Sequence, residues 1–258
     1  MPTFDSGGVA IHYVDEGRGP AIVLVHGFAA SVQANWRAPG IIDALLSAGR
    51  RVVALDCRGH GESAKPLDPA AYAGTAMADD VIALMDHLGI GVADLMGYSM
   101  GGFLSASLLV RRPERFRSVI LAGIGDAMVT GAMLNRARTN GIAAAMEATA
   151  AATTADPVSR MFRELAERTG AGLGALAAMQ RSSRARFDPG KLADVTLPVL
   201  VLMGEDDTLV GSADRLAAAI PGAKLVKVAG NHLTAVIAPA LKTAVLAFLA
   251  EQSPVVAE

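Results

Sequence analysis

The chain is poor in the residues that mark several special chemistries. Among 258 residues there is one cysteine, Cys57, and one tryptophan, Trp36, and aromatic residues make up only 4%. One cysteine closes no intrachain disulfide and suits a reducing compartment, so the expected location is the cytoplasm. The five histidines are His12, His26, His60, His87 and His232. No two of them stand at i, i+4 with a third ligand at hand, so no zinc motif and no other metal or cofactor is expected. No apolar run reaches about 18 residues, which excludes a helical membrane span. The first residues lack the basic-then-apolar pattern of an export signal. Lys and Arg number 23 against 25 Asp and Glu, a net charge of −2, so nothing draws the chain to nucleic acid or to an anionic membrane. Its oligomeric state stays open at this level.

What is abundant is apolar: 52% of residues, ample for one large core and too many for disorder. Short continuous apolar runs recur at Ala21–Val25, Arg51–Leu55, Val92–Met96, Ser118–Ala122, Pro198–Leu202 and Lys224–Val228. Continuous runs are expected of strands buried on both faces. Helical stretches lie between them, at Ile41–Ala48, Met77–Leu88, Phe103–Arg111, Ala213–Ala219 and Leu241–Ala250. The alternation predicts an α/β chain with a mostly parallel sheet wrapped on both faces. Phe4–Tyr13, with Gly7-Gly8 at its centre, predicts an antiparallel hairpin at the sheet edge. Between residues 126 and 189 no strand is evident, and helical spacing shows at Ala143–Ala151 and Met161–Arg168. That length exceeds a simple crossover. The expected organisation is therefore a core of residues 1–125 and 190–258, with a helical cap of residues 126–189 inserted over the strand ends. The tail beyond Gln252 is expected to fray.

Chemistry concentrates at the ends of the predicted strands. Gly97-Tyr98-Ser99-Met100-Gly101 reads Gly-x-Ser-x-Gly, between an apolar run and a helical stretch. Strand, sharp turn and helix form the context of a nucleophile elbow, where the glycines leave room for a strained serine. A serine hydroxyl needs a base, and the base needs an orienting acid. His232 follows the last predicted strand and is the candidate base. The acid is sought in Gly204-Glu205-Asp206-Asp207, where Asp206 and Asp207 compete, with Asp126 a further candidate. His26-Gly27-Phe28 ends the first parallel strand. The N–H of Phe28 and that of Met100 are candidates for an oxyanion hole. His26, Asp56 and His60 are read as structural, the loop Asp56–Ser63 holding the oxyanion loop in place.

Together these residues resemble the α/β-hydrolase superfamily, over nearly the whole chain. The resemblance implies an α/β-hydrolase fold with a helical cap and a nucleophile, acid, base order of Ser99, Asp207, His232. The superfamily's Gly-x-x-Asp spacing, Gly204 to Asp207 here, prefers Asp207 to Asp206. Asp56-x-Arg58-Gly59-His60-Gly61-Glu62-Ser63 resembles its loop after the fourth strand. The implied activity is serine-dependent hydrolysis of a small to medium carboxylic ester through an acyl-enzyme, without cofactor or metal. Alternatives within the fold are a C–C bond hydrolase, a perhydrolase or haloperoxidase-like enzyme, and a non-catalytic ligand-binding member. Serine at position 99 disfavours dehalogenases and epoxide hydrolases, which place aspartate there. Tyr98 and Leu233 depart from the Asn and aromatic residue usual in C–C hydrolases. The cap carries Met128, Met133, Met146, Met161 and Met179, with Phe162 and Phe187. These either line an apolar acyl pocket or pack the cap onto the core. Arg136, Arg138, Arg181, Arg184 and Arg186 are read as solvated, with one available to a substrate carboxylate. Trp36 either walls the pocket or packs on the sheet.

Overall fold

The computed structural model describes residues 2–130, 135–150, 156–185 and 187–252. Met133, Arg186, the end of the helix expected at Ala143–Ala151 and the tail beyond Gln252 lie outside them. The strands are β1 (Thr3–Ser6), β2 (Val9–Glu16), β3 (Ala21–Val25), β4 (Arg51–Leu55), β5 (Ala93–Tyr98), β6 (Phe116–Ala122), β7 (Val199–Gly204) and β8 (Lys224–Val228). They form one sheet in the order β1-β2-β4-β3-β5-β6-β7-β8. β1 and β2 pair antiparallel through Gly7 and Gly8, both at positive φ, and β2 pairs antiparallel with β4. All later neighbours are parallel. The expected α/β architecture and edge hairpin are both present.

The helices are α1 (Ile41–Ser47), α2 (Ala76–His87), α3 (Met100–Arg111), α4 (Ala127–Thr130), α5 (Arg136–Glu147), α6 (Pro157–Thr169), α7 (Leu173–Arg181), α8 (Ala213–Ala218) and α9 (Pro239–Gln252). Alternate residues of each central strand enter two different cores, as the period of two requires. Val23, Val53, Leu95, Val119 and Val201 face the side of α2, α3 and α8. Ile22, Val52, Met96, Ile120 and Leu200 face α1 and α9. Trp36 is fully buried in this second core, in a π-helical turn at Gln33–Arg37, so it packs against the sheet rather than walling a pocket.

α4 to α7 fill the stretch between β6 and β7. α6 is well bounded: Asp156 accepts the Ser159 N–H at 2.7 Å, Pro157 opens the first turn, and Gly170 closes the helix in the left-handed conformation. Arg163 of α6 donates to the carbonyls of Ala145, Met146 and Ala148, satisfying the end of α5. α7 is absent from the expectations because its alanine and glycine hide the helical period. The helix expected at Ala143–Ala151 begins earlier, at Arg136, and stops at Glu147. Asn135, whose side chain accepts the Ala137 N–H, sets its start.

The far end of the sheet is tied by a buried charge cluster. Asp94 on β5 accepts from Arg50 (2.8 Å), Arg117 (3.0 Å) and Ser118 (2.8 Å). Arg50 also donates to the Leu249 carbonyl of α9. Asp94→Ala would remove the carboxylate that buried Arg50, Arg117 and Ser118 share. Equilibrium urea unfolding should show a loss of about 3–5 kcal/mol, and a loss below about 1 kcal/mol would contradict this role for Asp94.

Candidate active site

Ser99 lies between the end of β5 and the first residue of α3 with φ 52° and ψ −113°, a conformation that L-residues avoid. The surroundings hold it there. Its N–H donates to the Ala122 carbonyl at 2.8 Å and its carbonyl accepts from Phe103 N–H at 3.0 Å. A Cβ on Gly97 would strike the Gly101 carbonyl, and one on Gly101 would strike the Val25 carbonyl. Only glycine permits β3, β5 and α3 to approach this closely.

The Ser99 Oγ lies 2.8 Å from His232 Nε2, and His232 Nδ1 lies 2.7 Å from Asp207 Oδ2. The Asp207 carboxylate can only accept, so Nδ1 carries the proton and Nε2 is free to accept from the serine hydroxyl. Ser99, Asp207 and His232 are 6%, 5% and 5% exposed, so the line of hydrogen bonds is shielded from bulk water. Asp207 accepts also from Leu209 N–H at 3.0 Å. Asp206 is exposed, and among the described residues it makes one hydrogen bond, from its backbone N–H to Gly230 O. Asp126 binds Ser212 N–H and Arg215, away from His232. Tyr98, a member missed in the sequence, donates its hydroxyl to the His232 carbonyl at 2.7 Å. Burial, with Asp207 adding to it, holds that phenol well above its usual pKa, so it remains a donor.

Gly27 packs beside the serine, where an added Cβ would lie 3.4 Å from Ser99 Cβ. Gly27 O accepts Ala30 N–H across a turn in which Ala29 takes φ 59°. Phe28 N–H lies within that turn, and Met100 N–H is the first of α3, where no intrahelical acceptor exists. Neither has a protein acceptor among the described residues. The turn is fixed by Asn35, whose side chain accepts Gly27 N–H at 2.7 Å, and by Thr169 of α6, which donates to Ala29 O at 2.7 Å. Asn35 carries no motif that sequence reasoning could have used.

Behind the turn, Asp56 gathers Val32 N–H (2.7 Å), Glu62 N–H (2.9 Å) and His12 Nδ1 (2.8 Å). Burial raises the carboxyl, but His26, these two amides and His12 together hold it below the usual range. His26 Nδ1 donates to Gly27 O at 2.7 Å and Nε2 accepts Cys57 N–H at 3.0 Å, so the ring is neutral with both nitrogens engaged. His26, His60 and Asp56 thus have structural surroundings, and the Asp56–Ser63 loop grips the turn as expected. Burial, opposed by Asp56, lowers the pKa of His26. Burial, reinforced by His26, lowers His60 to about 3.

Two cavities meet at Ser99 and Phe28. The larger, about 560 Å³, carries Met100, Phe103, Met128, Ile142, Phe162 and Met179 on its walls. The smaller, about 120 Å³, is walled by His232, Leu233, Val236 and Leu165. Met146 and Met161 pack in the core instead. Among the described residues no cluster of side chains is arranged to hold a metal ion, and no helix is long and apolar enough to cross a membrane.

The sequence profile of the alpha/beta hydrolase fold family matches residues 20–157, more than half of the chain. The chain belongs to this family. It is 35% identical over 123 residues to an epoxide hydrolase of Caballeronia sordidicola, covering 48% of this chain and 36% of that protein. It is 36% identical over 118 residues to the 2-hydroxymuconate semialdehyde hydrolase of a Pseudomonas species, covering 45% of this chain and 40% of that one. The matches thus span well under half the length of these curated relatives. The crystal structure of the enol-lactonase from Burkholderia xenovorans is similar over 96% of this chain and 99% of that one, with 29% identity and a TM-score of 0.74.

The buried neutral histidines make stability pH-dependent. An unfolded histidine takes a proton below about pH 6.5, which the folded His60 refuses until about pH 3. Stability is therefore full above pH 6.5 and falls as the pH drops toward 3. From pH 7 to pH 5 the unfolding free energy should fall by about 2 kcal/mol for His60 alone. Urea titrations at the two pH values check this, and equal stability would contradict a neutral buried His60.

Proposed function

We propose that this chain is a serine hydrolase that cleaves carboxylic esters through an acyl-enzyme. The observation that carries the reading is the continuous Asp207–His232–Ser99 hydrogen-bond line beside two free backbone N–H groups. Ser99 Oγ attacks the ester carbonyl while His232 Nε2 takes its proton. Asp207 holds the ring in its tautomer and stabilises the imidazolium. The Phe28 and Met100 N–H groups receive the oxyanion at the N-terminus of α3. His232 then protonates the departing alcohol and, in the second half, draws the proton from water that attacks the acyl-enzyme. No cofactor enters this scheme.

The two cavities divide the substrate. His232 lines only the smaller, so the leaving alcohol belongs there and is small. The acyl group takes the larger, beneath α4 to α7, which acts as the cap of residues 126–189. Its methionines and phenylalanines favour an apolar acyl chain. Ser99 itself separates this chemistry from that of the epoxide hydrolases, where the resemblance places an aspartate. The single buried Cys57 accords with a reducing cytoplasm.

p-Nitrophenyl esters of increasing acyl length test the proposal. Turnover should peak at a medium-length acyl chain, and Ser99→Ala should lower kcat by roughly 10³-fold or more while thermal unfolding stays cooperative. Undiminished turnover in Ser99→Ala would sink the assignment.

A further inference from the structure

One face of α3 lines the larger cavity along its whole length, through Met100, Phe103, Leu104, Ser107, Val110 and Arg111. At 1.5 Å per residue this is a path of about 16 Å away from Ser99. Three arginines reach the lining: Arg111, Arg138 and Arg184. Arg111 is paired with Asp79 at 3.0 Å. Arg138 gives both terminal nitrogens to the Leu209 carbonyl and lies in the field of Asp156.

Arg184 differs from both. Among the described residues its guanidinium meets only Gln180 Oε1, at 3.2 Å. Burial alone acts on its pKa, downward, with no carboxylate opposing it. Asp188, the one acid on the described lining, is turned onto Gly190 N–H at 3.0 Å. A guanidinium has five N–H donors, so most of those of Arg184 are left for a ligand. A partly buried cation with no carboxylate partner among the described residues gains from an anion that completes it.

The backbone fixes where this cation stands. Gly74 N–H donates to Ser183 O at 2.8 Å and Ala185 N–H donates to Gly74 O at 2.9 Å, fastening Arg184 to the start of α2. The first turn of α2 lies beside the last turn of α3 through the Asp79–Arg111 pair. Arg184 therefore belongs to the end of the cavity remote from Ser99.

We propose that the larger cavity takes an acyl group bearing a carboxylate at the end remote from the ester, and that Arg184 receives that carboxylate. This rests on the ester-hydrolase reading and names its substrate class: half-esters of dicarboxylic acids. The apolar walls hold the methylene chain, and the planar guanidinium offers paired donors to the two carboxylate oxygens.

The p-nitrophenyl half-ester of decanedioic acid, compared with the same ester methylated at its far carboxyl, tests this. The native protein should favour the free acid in kcat/KM by roughly tenfold or more, mainly through KM. Arg184→Gln should bring the ratio close to one, and Arg184→Lys should restore part of it. A preference for the methylated ester, or an undiminished ratio in Arg184→Gln, would overturn the proposal. A binding measurement separates this from failure of the hydrolase reading. Calorimetric titration of Ser99→Ala with monomethyl decanedioate needs no turnover. Saturable binding, weakened roughly tenfold by adding Arg184→Gln, supports the carboxylate site even if no ester is cleaved. No binding, or equal binding in both proteins, overturns it.

Discussion

Ser99 is held at φ 52° between the end of β5 and the first turn of α3, and most of the site follows from that one forced conformation. The turn points the hydroxyl out of the sheet toward His232 and leaves the Met100 N–H unbonded at the helix start. It exists only because Gly97 and Gly101 let the strand, the helix and β3 close around it. The strain costs on the order of 1–3 kcal/mol. It is offset by the buried parallel strands β3, β5 and β6, which fix the backbone before and after the serine.

A second level of organisation centres on Asp56. Its carboxylate follows the end of β4 and binds Val32 N–H just beyond the Gly27–Ala30 turn, the glycine loop at Glu62, and His12 from the antiparallel edge. His26 bridges the same two loops while remaining neutral. Four residues outside the Ser99–His232–Asp207 line, Asp56, His26, Asn35 and Thr169, therefore set where the Phe28 N–H points. The helical stretch between β6 and β7 joins this framework directly, through Thr169 on Ala29 and the edge-to-face contact of Phe28 with Phe162.

The fold was legible in the sequence because buried parallel strands leave continuous apolar runs. Ala21–Val25, Arg51–Leu55 and Lys224–Val228 match the observed strands at both ends. Ser99 and His232 could be named as candidates because each lies in the loop after a strand, whereas Asp207 is preferred to Asp206 only through the Gly-x-x-Asp spacing of the resemblance. The structure links Ser99 to His232 and His232 to Asp207 by hydrogen bonds. Other parts left no trace. α7 is an alanine-rich helix whose buried face has almost no apolar contrast. Tyr98 and Asn35 act through a single hydrogen bond each, across 134 and 8 residues, and no local pattern encodes such a contact. Arg184 reads as one of several exposed arginines until the Gly74 bridge shows which wall it occupies.

Ester cleavage at this site requires an activated Ser99 hydroxyl. Treating the native protein with a fluorophosphonate and mapping the product by peptide mass spectrometry tests this without any knowledge of the substrate. The geometry predicts one covalent adduct, on Ser99, whose formation slows sharply in His232→Ala. No adduct, or an adduct on another residue with Ser99 untouched, would contradict it.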